Sequence, residues 1–89
     1  MEKDALEPGV EWVLVTSPYA ACYKDSNYNS EVMEHLRRGE IRKLEGSAVI
    51  KTDDIYENWY FVKEGWIAGN SAKVYSNMLK AETAGKQLN

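Results

Sequence analysis

The stretch of residues 58–67 constrains the fold of this chain more than any other segment. It places a run of aromatic and β-branched residues directly before Gly65 and a further tryptophan. Such residues favour a pleated, half-buried surface, and a glycine permits the tight reversal of a short hairpin. Because side chains alternate along a strand, Trp59 and Phe61 lie on one face and Val62 on the other. Large apolar groups on both faces predict a small all-β recognition module rather than an enzyme.

Length and composition narrow the function classes. A chain of 89 residues has room for one domain with a modest core, which leaves little space for a cofactor-sized catalytic cleft. The net charge of −3 without a basic stripe argues against nucleic-acid binding. No apolar run approaches the length of about 18 residues that a membrane span needs, so we expect no membrane insertion of this segment. Nothing in the sequence indicates a cofactor.

Turn-forming residues divide the chain into short extended segments. Pro8 and Gly9 mark the start of the fold. A polar loop is predicted at residues 24–30 and an acidic loop at residues 52–57, directly before the strand that contains Trp59. Strands are predicted at residues 10–16, 20–23, 41–44, 48–51, 59–62 and 72–75.

The local signals conflict at residues 31–38. Ser30 is a good helix cap and Gly39 a good helix stop, so the local signals favour a helix. However, Val32 and Leu36 alternate with Met33, and all neighbouring segments are short strands, which favours a strand. Both possibilities stay open at this stage, although the architecture predicts almost no helix before residue 76.

The end of the chain has a different character. Asn77 is predicted to cap a short helix of residues 78–82 that Gly85 ends. One short turn of helix is marginal in water unless it packs on the rest of the domain. We therefore divide the chain into a domain of residues 10–76 and two flanking tails, residues 1–9 and 77–89.

Read in order, these elements resemble the bacterial SH3 (SH3b) domain family. Residues 20–23 stand at the place of the family's Leu-Asn-Val-Arg strand, and residues 30–40 are similar to the segment that ends in Lys-Gly-Glu. Residues 59–62 look like the family's Trp-x-x-Val, and residues 65–67 look like its Gly-Trp-Val ending. The resemblance covers residues 10–75 and implies an all-β fold, a small SH3-like β-barrel of about five to six short strands.

Two departures from the SH3b pattern lie where such domains place their ligand groove. Tyr23 replaces the usual arginine, and an insertion of about ten residues around 52–58 lengthens the predicted loop before Trp59. The family's usual ligand therefore does not transfer directly. The resemblance implies recognition of an extended peptide or a cell-wall (peptidoglycan) component. It also implies a periplasmic, cell-envelope or secreted protein whose signal or anchor lies outside this sequence, while a cytoplasmic location stays open.

Four aromatic side chains form the candidate ligand-binding site: Tyr23, Tyr28, Tyr56 and Trp59. We expect the three tyrosines to converge around a partly exposed Trp59, because aromatic surfaces bind extended peptides or sugars at little ordering cost. The alternative is that these rings complete a small core. The function predicted is a noncatalytic binding module, and the alternative is a structural spacer or protein-assembly domain with no small ligand.

No catalytic residue and no metal site are predicted. One histidine, His35, and one cysteine, Cys22, are the expected background for a small domain. Cys22, between small and aromatic neighbours in a strand, is predicted to be a small buried hydrophobic residue. The carboxylates at 53, 54 and 57, with those at 31 and 34, lack the ligand spacing of a calcium loop, and we interpret them as solvated.

Overall fold

The computed structural model describes residues 9–88, which form mainly short antiparallel strands. A short 3-10 helix at Gly69–Ser71 precedes the last strand, and the helix α1, Met78–Lys86, follows it. The predicted all-β class is confirmed, although the described residues contain eight short strands instead of five to six. These are β1 Trp12–Val15, β2 Tyr19–Tyr23, β3 Val32–Arg37, β4 Ile41–Lys43, β5 Gly46–Thr52, β6 Ile55–Val62, β7 Gly65–Ala68 and β8 Ala72–Tyr75.

The strands form two sheets that share one core. The smaller sheet has the order β4-β1-β8, and the larger one has the order β3-β2-β7-β6-β5. Alternate side chains of both sheets meet in the core, as the period of two requires. The prediction that Cys22 is buried is confirmed, and Val62 is buried in the same cluster. The cluster consists of Val13, Val15, Ala20, Cys22, Leu36, Val62, Ile67 and Ala72.

Residues 31–38, where the local signals conflicted, form strand β3 and not a helix. The strand runs antiparallel to β2, with Leu36 opposite Ala20 and both side chains in the core. A helix here would remove one of the two strands that pair with β2 and would withdraw Leu36 from that core. Tertiary packing therefore overrides the capping signals at Ser30 and Gly39.

The predicted acidic loop at residues 52–57 is wrong, because these residues lengthen a hairpin. Asp53 and Asp54 form a two-residue turn between β5 and β6, with φ angles of 50° and 66°. Positive φ at both central residues is what a type I′ turn requires, and aspartate tolerates that region better than most residues. Thr52 and Ile55 close the hairpin as direct partners. The residues that depart from the SH3b pattern thus extend the sheet.

Gly65 lies where two strands approach closely. It starts β7 after a second two-residue turn and has a φ of 138°. A Cβ atom at this position would lie 2.6 Å from the carbonyl oxygen of Tyr23 in β2. The predicted hairpin at Gly65 is confirmed, and its glycine also allows β2 and β7 to pair. Beside it, the half-buried rings of Phe61 and Trp66 contact each other with centroids 5.1 Å apart.

Helix α1 packs against the smaller sheet. Asn77 caps it as predicted, because its side-chain oxygen accepts a hydrogen bond from the Lys80 amide at 2.8 Å. The helix does not end at Gly85 but continues to Lys86. Ala81 is fully buried, and Gly85 leaves room for Leu14 of β1. Contacts with β1 and β8 supply the packing that so short a helix needs.

Candidate functional site

A cleft of about 330 Å³ lies between the loop that joins β2 to β3 and one face of the β5–β6 hairpin. Its volume is at the lower end of the range for ligand-binding clefts. The cleft contains two of the four aromatic residues that the sequence singled out. It is lined by Ser26, Asn27, Tyr28 and Asn29 from the loop and by Ile50, Thr52, Glu57 and Trp59 from the hairpin.

The four lining residues from the hairpin share one of its faces, because side chains alternate between the two faces along each strand. Glu57 and Trp59 are two positions apart in β6, so their side chains lie on the same face. The register places Ile50 directly opposite Glu57 and Thr52 opposite Ile55. Directly opposed residues of an antiparallel pair share a face, so β5 adds Ile50 and Thr52 to the same surface.

Hydrogen bonds within the β2–β3 loop hold it in place. The side chain of Asn27 accepts a bond from the amide of Asn29 at 2.7 Å, which is an Asx turn. The hydroxyl of Ser30 accepts a bond from the amide of Asp25 at 2.9 Å. At the base of the loop, the Lys24 amide donates to the carbonyl of Glu31 at 2.8 Å. The polar residues of the loop thus fix the position from which Tyr28 reaches the hairpin.

Three of the four predicted aromatic residues meet. The ring centroid of Trp59 lies 4.9 Å from that of Tyr28 and 5.7 Å from that of Tyr23. The two tyrosine rings are 5.9 Å apart, and all three pairs meet edge to face. The Trp59 side chain is only 1% exposed, whereas Tyr28 is 52% exposed. The expectation of a partly exposed Trp59 is therefore wrong: Tyr28 and Tyr23 cover it.

Tyr56 does not join this cluster. It belongs to β6 and lies three positions before Trp59, so it is on the opposite face of the hairpin. Its side chain is 68% exposed, and the ammonium group of Lys51 lies 5.7 Å from its ring centroid. The sequence interpretation placed Tyr56 in a loop, where alternation does not apply. Recognising strand β6 from Ile55 onward would have separated Tyr56 from Trp59 and added Glu57 and Ile50.

One carboxylate dominates the electrostatics of the cleft. The Tyr28 hydroxyl donates a hydrogen bond to Oε2 of Glu57 at 2.8 Å, which ties the loop to the hairpin. Partial burial of the phenol and the adjacent Glu57 carboxylate raise the pKa of Tyr28 to about 12. Glu57 supplies the one carboxylate among the lining residues, which include no lysine, arginine or histidine, so the cleft offers an acidic group beside an aromatic surface.

This bond predicts a specific alkaline titration. The pKa of Tyr28 is raised above its unfolded value near 10, so its contribution to stability is present below pH 10 and is lost as the pH rises to about 12. Glu57→Gln removes the charge and should return the phenol toward its ordinary pKa. The phenolate absorbance is followed against pH in the wild type and in Glu57→Gln. Subtracting the titration of Tyr28→Phe removes the other tyrosines and leaves the titration of Tyr28. An unchanged titration in Glu57→Gln would contradict the assigned contact.

The residues with nucleophilic or metal-binding potential lie apart. Cys22 faces the core, whereas His35, whose direct partner in β2 is Ala21, is exposed on the other face of the β2–β3 pair. Burial, with the nearby Glu64 and Glu34 carboxylates, raises the pKa of the Cys22 thiol to about 11. Within residues 9–88, no group of three or more His, Cys, Asp or Glu side chains is arranged to hold a metal ion.

The two sheets and the loop-lined cleft define an SH3-like domain, a class of binding or structural modules that is generally noncatalytic. The chain matches the family model of the Treponema TP0069 SH3-like domain over residues 13–88 and belongs to this family. The bacterial SH3-like resemblance drawn from the sequence is thereby confirmed. No curated protein and no solved structure matches the chain. In the part of the chain that the structure describes, no helix is long and apolar enough to cross a membrane.

Proposed function

We propose that this domain binds an extended peptide, or the peptide stem of a peptidoglycan fragment, in the cleft between the β2–β3 loop and the β5–β6 hairpin. The observation that carries the proposal is the exposed ring of Tyr28, held against the buried Trp59 and hydrogen-bonded to Glu57. A rigid aromatic ring beside a polar group offers contact area at little ordering cost. Membership of an SH3-like family supports protein or peptide interaction in general.

The charge of the cleft favours a ligand that carries an amine. Glu57 is the carboxylate within it, and Asp53 and Asp54 add two exposed carboxylates at the tip of the same hairpin. A positive group on the ligand would pair with the Glu57 carboxylate and would be attracted by the two carboxylates at the tip of the hairpin. The proposed setting is the periplasm, the cell envelope or the exterior of a bacterium, as the SH3b resemblance implies.

Binding is tested by titrating the protein with a lysine-containing peptide and with peptidoglycan stem fragments that carry a free amine. Tyr28→Ala removes the exposed contact and should weaken binding by about tenfold or more. Glu57→Gln should weaken binding of amine-bearing probes and reduce the dependence on salt, which screens an exposed charge. Tryptophan fluorescence at two salt concentrations measures both effects.

Tyr56→Ala is the matched control, because it removes an exposed tyrosine from the opposite face of the same strand. It should leave binding unchanged. Equal losses in Tyr56→Ala and Tyr28→Ala would place the ligand elsewhere. If the wild type binds none of these probes, the result would favour the structural-spacer role.

A further inference from the structure

The larger sheet ends in two edge strands, β3 and β5, and the backbone of β3 is protected. Its outward amides do not stay free: the Arg37 amide donates to Oε2 of Glu40 at 2.7 Å, and the His35 amide donates to Oε1 of Glu34 at 3.2 Å. Carboxylates that occupy edge donors prevent another strand from pairing there. This edge of the sheet is therefore closed by its own side chains.

The outward groups of β5 follow from its two-residue turn. In such a hairpin the residues that flank the turn, here Thr52 and Ile55, exchange hydrogen bonds with each other. Every second residue of β5 before Thr52 then also bonds to β6. The amides and carbonyls of Ser47, Val49 and Lys51 point outward. Within residues 9–88, β5 pairs with β6 alone, and no side chain hydrogen-bonds to these outward groups.

Most of β5 lacks the prolines and charged residues that usually prevent pairing at a free strand edge. The strand spans seven residues and carries no proline, and residues 46–50 carry no charge. Val49 lies at its centre and is 63% exposed. Lys51 is the one charged residue of the strand, and it lies next to the tip, where Asp54 is 3.7 Å away. The centre of this edge is accessible and apolar.

We propose that β5 pairs antiparallel with β5 of a second copy of this chain, about a two-fold axis at Val49. In this register the two Val49 residues exchange both of their hydrogen bonds, and each Ser47 does the same with Lys51 of the partner. All three outward residues are thus satisfied. Lysine opposes serine instead of another lysine, so no like charges face each other across the pair. We take a second copy as the partner because its own β5 presents the same uncharged centre and sets Ser47 opposite Lys51.

The dimer forms one continuous sheet of ten strands and leaves the cleft open. Val49 lies next to Ile50 in β5, so its side chain is on the face opposite the cleft. The two-fold axis of such a pair is perpendicular to the sheet, which places both clefts on the same side of the dimer. The pairing itself does not depend on what the cleft binds.

Sedimentation equilibrium from micromolar to millimolar concentration tests the pairing in the wild type and in charge variants. Val49→Lys places two like charges opposite each other at the axis and should weaken dimerisation by about tenfold or more. Val49→Glu should do the same. An equimolar mixture of the two variants should restore the dimer, because opposite charges then meet. Far-ultraviolet circular dichroism confirms that each variant keeps its fold.

Met33→Lys is the matched control, because Met33 is also an exposed apolar residue of an edge strand of the same sheet, but it lies on the protected edge β3. It should leave dimerisation unchanged. The proposal is overturned if the wild type stays monomeric to millimolar concentration. It is also overturned if Val49→Lys dimerises as well as the wild type, or if Met33→Lys weakens the dimer as much as Val49→Lys does.

Discussion

Replacing Trp59 with alanine should destabilise the domain by about 3–5 kcal/mol, the usual range when a buried aromatic residue is truncated. The ring is almost completely buried and contacts Tyr23 and Tyr28, so its loss leaves a cavity between the loop and the hairpin. Small domains have a total stability of about 5–15 kcal/mol, and this change removes a large part of it. Denaturant unfolding followed by circular dichroism measures the loss.

Tyr56→Ala is the control for this experiment as well. It truncates an aromatic residue of the same strand, three positions away, whose side chain is exposed. Its effect on the free energy of unfolding should stay within about 0.5 kcal/mol. If Trp59→Ala unfolds at the same denaturant concentration as Tyr56→Ala, Trp59 is not packed as described.

Replacing Gly65 with alanine should cost about 3 kcal/mol, for two separate reasons. The φ angle of 138° is unfavourable for a residue with a Cβ atom. In addition, the new Cβ would lie 2.6 Å from the carbonyl oxygen of Tyr23, a backbone atom that moves only if β2 and β7 separate. Thermal and denaturant unfolding of the variant measure the combined effect.

Gly39→Ala separates the two contributions. Gly39 also has a positive φ, 94°, but no atom lies within 4 Å of the position that a Cβ would take. Its substitution should cost about 1 kcal/mol from backbone strain alone. Equal costs at Gly39 and Gly65 would mean that the close approach of β2 to β7 contributes nothing.

Part of the fold follows from residue chemistry alone. The aromatic run before Gly65 predicts a hairpin, and the hairpin is present because alternation, β-propensity and the glycine all indicate the same structure. Cys22 and Asn77 were also interpreted correctly, one as a buried residue of a strand and the other as a helix cap. The hairpin and the helix cap rest on interactions between residues close in sequence, and the small, apolar side chain of Cys22 suits burial in a strand.

The remaining parts depend on contacts that are distant in sequence. At residues 31–38 the local caps favour a helix, and only pairing with β2 makes the strand more stable. The sequence predicts that Asp53 and Asp54 belong to a solvated loop, because a type I′ turn made by two aspartates has a weaker sequence signature than one that contains glycine. Trp59 is buried since Tyr28, from a loop 31 positions earlier, covers it.

The candidate site arises where the chain departs from the SH3b pattern. The residues expected to form a longer loop instead extend the β5–β6 hairpin, and this extension contributes Thr52 and Glu57 to the cleft. Tyr23, the other departure, lies behind Trp59 and supports it from β2. The free edge of β5, by contrast, is formed by Ser47, Val49 and Lys51, which precede this extension.

The most direct test of the proposed binding function is a two-dimensional amide NMR titration of the isotope-labelled protein with an amine-bearing peptidoglycan stem peptide. The account predicts that the amides of residues 26–29, Ile50, Thr52 and Glu57 shift together with the indole signal of Trp59. The side chain of Tyr56 lies on the opposite face of the hairpin, so the amide signal of Tyr56 should shift less. Shifts confined to another surface, with the cleft residues unchanged, would contradict the account.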